Sequence, residues 1–126
     1  MPTDDLPIEV LRFISERIDS VPHLEALLIL WDTGKAWDAR EMSRRIYLEE
    51  RSTQSVLLDL QRAGLAMSGD AVSYTFDARW PGAPGLMPQI ALTYQRNVTR
   101  IATLIHNKAS SAVREFARAF DLKKER

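Results

Sequence analysis

No cysteine occurs anywhere in the 126 residues, which excludes a disulfide framework, a thiolate metal site and a cysteine nucleophile. Long apolar runs are equally scarce. The longest, Ala26 to Trp31, is six residues, against the roughly 20 that span a bilayer, so no membrane partner is expected. The acidic start "MPTDDLPIEV" is unlike an export signal, which is basic and then continuously apolar. Together these absences predict a cytoplasmic protein. Five glycines and six prolines are too few for a fibrous or low-complexity chain. Histidine is rare as well: His23 and His106 stand alone on apolar helical stretches, with no carboxylate or second histidine at metal-ligand spacing, and read as structural. A phosphate-cradling loop is lacking, because "PGAPG" carries two prolines and precedes a helix without lysine. An enzyme needs a constellation of such groups. We therefore expect neither catalysis, nor a cofactor, nor a bound metal.

What is present is enough apolar residue, 45% of the chain, to bury one core, so residues 1–126 read as a single domain. The 17 basic and 17 acidic side chains cancel but are unevenly spread. Residues 1–34 hold two basic and seven acidic groups (2 − 7 = −5), residues 35–80 seven of each, and residues 81–126 eight basic and three acidic (8 − 3 = +5). Such complementary ends predict that the terminal helices pack together, within a chain or across a dimer.

Hydrophobic periodicity orders the rest. "LPIEVLRFISERID" places Ile8, Leu11, Ile14 and Ile18 on one helical face. "SVPHLEALLILWDTG" is a core helix with Ser20 as cap, Pro22 in its first turn and Gly34 at its end. "KAW" at 35–37 suits a short strand. Asp38, three residues before Glu41, is a reciprocal capping box for a helix through Ile46. "YLEE" is a turn, and a helix from about Arg51 to Ala63 stops at Gly64. Leu65/Met67 and Val72/Tyr74/Phe76 then flank Ser68-Gly69-Asp70 as a tight hairpin. "ARWPGAPGLMP", with three prolines and two glycines in eleven residues, reads as a linker. From about Gln89 one helix keeps Ile90, Tyr94, Val98, Ile101 and Ile105 in register, and Ser110 or Ser111 caps a shorter one carrying Val113, Phe116, Ala117 and Phe120.

Helix, short strand, helix, turn, helix, strand, turn, strand is the order of a winged helix-turn-helix, carried here by "AREMSRRIYLEERSTQSVLLDLQRAGLAMSGDAVSYTF". With one amphipathic helix before it and two after, the chain resembles the MarR-type (multiple antibiotic resistance regulator) transcription factors. The fold expected is thus mainly α: a three-helix core plus short β-hairpin wing over residues 23–80, with N-terminal (1–22) and C-terminal (86–126) dimerisation helices. The resemblance implies a homodimer whose terminal helices interlock. It also implies a small-molecule effector held where those helices meet the winged module, in a crevice that Trp31, Trp37 or Trp80 could line. The chain departs from the family at the wing tip, where Ser68-Gly69-Asp70 offers no basic residue before Arg79.

Double-stranded DNA is the partner these residues suit best. Affinity comes largely from neutralised phosphates, and the central module supplies arginines that grip phosphate and guanine with two-pronged geometry. On the helix beginning at Arg51, periodicity turns Thr53, Val56, Leu57 and Leu60 inward and leaves Arg51, Ser52, Gln54 and Ser55 outward. Arginine pairs with guanine, glutamine with adenine and serine with either, so these four are assigned base readout, and Arg44, Arg45 and Arg62, with Arg40 beside them, hold phosphates. Glu49 and Glu50 favour the positive end of the helix dipole and can cap it, while repelling the phosphates. Their presence, the zero net charge and the acidic wing tip support the alternative of a winged-helix adaptor that binds a protein partner through its acidic first helix or basic tail.

Overall fold

The computed structural model describes residues 6–108. Helix is the dominant element, with α1 (Ile8–Arg17), α2 (Val21–Thr33), α3 (Ala39–Ile46), α4 (Glu50–Arg62), α5 (Ala83–Arg96) and a sixth helix, α6, that begins at residue 98. The strands β1 (Trp37–Asp38), β2 (Ala66–Met67) and β3 (Ser73–Phe76) form a small antiparallel sheet of order β1-β3-β2. This arrangement is compatible with a helix-rich, winged-helix-like fold. The helix expected to start at Ser110 or Ser111 lies outside the described residues.

Local chemistry explains the central elements. Ser20 caps α2, its hydroxyl accepting the His23 amide at 3.4 Å. Pro22 occupies the first turn, where its missing N–H is not needed, and Gly34 closes the helix in the left-handed conformation (φ 64°). Leu24, Ala26, Leu27 and Leu30 of α2 are buried, which makes this helix the spine of the core. The sheet closes over it with Trp37 opposite Tyr74 and Ala66 opposite Phe76. Both Trp37 and Tyr74 are buried, and the Trp37 indole donates to Thr33 Oγ1 at 2.9 Å.

Two expectations need correction. The buried face of α1 is made by Val10, Phe13 and Ile14, continued by Leu6 and Ile18, whereas Ile8 is 65% exposed. The stripe through positions 6, 10, 13 and 14 is also helical in period, and it wins because it carries Phe13, whose ring stacks on Trp80 at 5.4 Å and 24°; an aromatic ring buries more area than Ile8 offers.

The second correction concerns the stretch after the sheet. "ARWPGAPGLMP" is not a linker, because α5 starts inside it at Ala83, behind Gly82 at φ 83°. Pro84 lies in the first turn, and Pro88, inside the helix, forfeits one backbone bond. Nor does one helix run on from Gln89. Asn97 breaks it (φ −139°, ψ 43°), its amide donating to Thr93 O at 2.9 Å while its carbonyl accepts Ile101 N at 2.9 Å to begin α6. Ile90, Ile101 and Ile105 stay buried across the break, and Val98 is exposed.

The first and last of the described helices are in contact. The Lys108 ammonium on α6 donates to the carbonyls of Ile14 at 3.2 Å and Ile18 at 2.6 Å, at the negative end of the α1 dipole, where a cation is favoured. Helix α6 thus meets the end of α1 within one chain.

Candidate nucleic-acid interface

The site is built on α3, the turn 47–49 and α4. Both halves of the capping box at the start of α3 are made: Glu41 N donates to Asp38 Oδ1 at 2.8 Å, and Asp38 N to Glu41 Oε1 at 3.1 Å. Ala39, Met42 and Ile46 seat α3 in the core, which turns Arg40, Arg44 and Arg45 outward. The helix ends at Tyr47 in the left-handed region (φ 55°, ψ 48°), with the amides of Tyr47 and Leu48 both bonded to Ser43 O. Glycine usually takes this place because a Cβ is disfavoured there. Here a tyrosine takes it, and its side chain stands 93% exposed.

Helix α4 then runs with Thr53, Val56, Leu57 and Leu60 buried, the inward face that its periodicity predicts. Arg51 and Ser55 are exposed and Ser52 is half-buried. Gln54 is placed differently from an outward reader: it is half-buried, and its amide donates to the Tyr74 hydroxyl at 3.1 Å, bracing α4 against β3. Glu49 occupies the N-cap, but its carboxylate makes no capping bond; its backbone carbonyl instead accepts Thr53 N and Thr53 Oγ1, each at 2.8 Å. The Glu49 carboxylate thus acts on α4 through the helix dipole and not through a cap bond, and Glu50 lies in the same first turn. Arg62 is exposed at the far end of the helix, and Arg45 lies over the Trp37 ring at 5.6 Å, opposite a similar approach by Lys35 at 4.9 Å.

The wing tip is a loop organised by Asp70. One carboxylate oxygen, Oδ1, accepts the amides of Val72 and Ser73 at 2.9 Å each, and the Ser68 hydroxyl accepts Ala71 N at 2.9 Å. Those backbone bonds hold the Asp70 carboxyl below its usual range. The left-handed residue of the turn is Ala71 (φ 63°), not Gly69. Arg79, the first arginine after the tip, is engaged by Asp77: its Nε and Nη2 donate to the carboxylate at 3.0 and 2.9 Å. The side chain and amide of Arg79 pull the Asp77 carboxyl down to about 2.

The far end of α4 is fastened from α1 and α2. Arg17 donates to the Ala63 carbonyl and lies over the Phe13 and Trp80 rings at 5.9 Å each. His23 does not stand alone: its Nε2 is 2.9 Å from Asp59 Oδ2 and its Nδ1 is 2.5 Å from Ser20 Oγ. Tyr94 donates to Glu25 at 3.3 Å and ties α5 to α2; burial, and then the Glu25 charge, push its hydroxyl up to about 12. Comparison with protein-family models, with curated proteins and with solved structures gives no match. Function therefore has to be argued from the site itself.

The three tryptophans do not converge on one crevice. Trp31 lines a shallow groove with Ile29, Arg45 and Gln95, Trp80 lines another with Arg12, Arg17 and Leu86, and Trp37 is buried. No helix among the described residues is long and apolar enough to cross a membrane. Sequence reasoning missed Tyr47, whose left-handed backbone has no signature in a bulky residue, and the His23–Asp59 contact, which spans 36 positions.

Proposed function

We propose that this protein is a cytoplasmic, sequence-specific DNA-binding transcriptional regulator of the MarR type, a winged helix-turn-helix that acts as a homodimer. The observation that carries the reading is the start of α4: four inward residues are buried while Arg51 and Ser55 stand exposed and Ser52 is half-buried beside them. A helix so presented enters a major groove with its first turns against base edges. Arg51 is assigned to guanine, Ser52 and Ser55 to base edges or nearby phosphate, and Arg40, Arg44, Arg45 and Arg62 to the backbone. Gln54 has a different part, holding α4 to β3 through Tyr74, and reads adenine only if that bond is exchanged. The acidic wing tip contributes turn geometry through Asp70, so the duplex contact rests on α3 and α4.

Selection from randomised duplex DNA, followed by titration of the winner and a scrambled control over a range of salt, tests this. A regulator gives an enriched palindrome bound at least about a thousandfold more tightly than the scramble, with affinity falling steeply as salt rises. Absence of enrichment, with only weak salt-labile binding, would overturn the reading and direct attention to a protein partner.

A further inference from the structure

We propose that Asp19, His23 and Asp59 form a binding site for a divalent first-row transition ion of the Zn²⁺ class, one that fastens the far half of α4 to the turn between α1 and α2. One ligand atom from each of the three side chains lies within 4.8 Å of the others. Donors about 2.0 to 2.2 Å from a tetrahedral zinc ion stand roughly 3.3 to 3.6 Å apart, so His23 Nε2 and Asp59 Oδ2, hydrogen-bonded at 2.9 Å, have to part by only a few tenths of an ångström to hold an ion between them. Asp19 is exposed on the turn, and its carboxylate supplies the third ligand atom of the set.

Three further features favour an ion over a simple histidine–aspartate pair. The pair has no use for Asp19, whose carboxylate brings a second negative charge beside the first; a divalent cation balances both. Ser20 Oγ, 2.5 Å from Nδ1, holds the ring so that Nε2 faces the carboxylates, and metal-binding imidazoles characteristically have their second nitrogen fixed by an oxygen in this way. Finally, the His23 side chain is 13% exposed and that of Asp59 45%, a shielded nitrogen with an accessible oxygen rim through which an ion can arrive. One imidazole with two carboxylates suits zinc and its neighbours, whereas calcium and magnesium prefer all-oxygen sites. On binding, the metal takes the Nε2 lone pair: a neutral ring exchanges its Nε2 proton through solvent for one on Nδ1, an imidazolium releases its Nε2 proton to solvent, and in either case Nδ1–H is left hydrogen-bonded to Ser20 Oγ. The site stands independently of the DNA-binding reading.

The test uses the full chain stripped of metal by a chelator. Zn²⁺ is titrated by calorimetry, and Co²⁺ is followed by its ligand-field absorption, which reports coordination by protein nitrogen and oxygen. One ion per chain is expected, with affinity lowered at least tenfold in each of Asp19→Asn, Asp59→Asn and His23→Gln. Asp59→Asn retains a hydrogen-bond acceptor for His23. Asp19→Asn changes an exposed side chain and leaves the circular dichroism spectrum unaltered, so its loss of binding reads out ligation alone. Equal Zn²⁺ affinity in Asp19→Asn and the parent chain, or no Co²⁺ absorption at equimolar ion, would overturn the proposal; the first result would place the ion elsewhere, His106 included.

Discussion

The two ends of α4 are held in opposite ways. At its far end Asp59 meets His23, Arg17 reaches the Ala63 carbonyl, Gly64 turns the chain at φ 77°, and Leu65 is buried with its carbonyl accepting Asp77 N at 3.0 Å. At its start the chain passes through a left-handed, exposed Tyr47, an N-cap glutamate without a capping bond, and an exposed Arg51. The far end takes partners from α1, α2 and the sheet, while the start leaves Arg51 and Ser55 exposed and Ser52 half-buried. A left-handed residue with a side chain, standing exposed beside an exposed arginine, is the kind of strained feature that clusters at ligand-facing segments. The comparison thus separates stability from recognition along a single helix, and substitutions can test whether the two come apart.

The largest effect is expected where the inward face anchors the helix. Leu57 is fully buried, and truncating such a leucine removes its transfer free energy and leaves a cavity, together about 2 to 5 kcal/mol. Leu57→Ala should therefore lower the urea midpoint sharply, and any DNA affinity should fall only in proportion to the folded fraction. A loss below about 1 kcal/mol would mean that α4 is not seated as described.

Next in size are substitutions on the outer side of the start. Arg51→Ala should remove about 1 to 3 kcal/mol of discrimination between the selected site and a variant at one base pair. Arg44→Ala should weaken all duplexes alike and reduce the salt slope by roughly one. Neither should change the melting temperature, since both side chains are exposed. Equal losses from both on every duplex would sink the division of roles between base readout and phosphate contact.

How much of this was legible depends on the range of the interaction. The Asp38–Glu41 box, the Ser20 cap, Gly34, and the inward set Thr53, Val56, Leu57 and Leu60 are decided within one or two helical turns, and each is found where periodicity and capping rules put it. The break at Asn97 was hidden because the apolar spacing runs through it unbroken; only the side chain's bond back to Thr93 reveals the stop. Pro84 and Pro88 suggested a linker, yet Pro84 sits in the first turn of α5, where a missing donor costs little, and Pro88 lies inside the helix and gives up one backbone bond without ending it. Gln54 looked like a base reader because its partner, Tyr74, is 20 residues away. The part Asp70 plays in the wing tip, where backbone amides bind it and shape the loop, has no signature in the sequence. Long-range pairs and turn geometry carry no period, so a periodic reading passes over them.

The smallest expected effect is the most discriminating. A left-handed residue with a Cβ costs about 1 to 2 kcal/mol relative to one without, and Tyr47 has almost no contacts to offset it, being 93% exposed. Glycine relieves that strain but gives back part of the gain through the greater freedom of the unfolded chain. Tyr47→Gly should therefore stabilise the fold by under about 1 kcal/mol in denaturant melts. If the turn lies against a duplex, the same substitution removes a phenol at the edge of α3 and α4 and should weaken binding to the selected site severalfold. A variant both more stable and less able to bind would show that strain is retained at the start of α4 for recognition. A variant that is less stable would mean that Tyr47 makes a contact that its exposure does not disclose, and the contrast between the two ends of the helix would no longer stand.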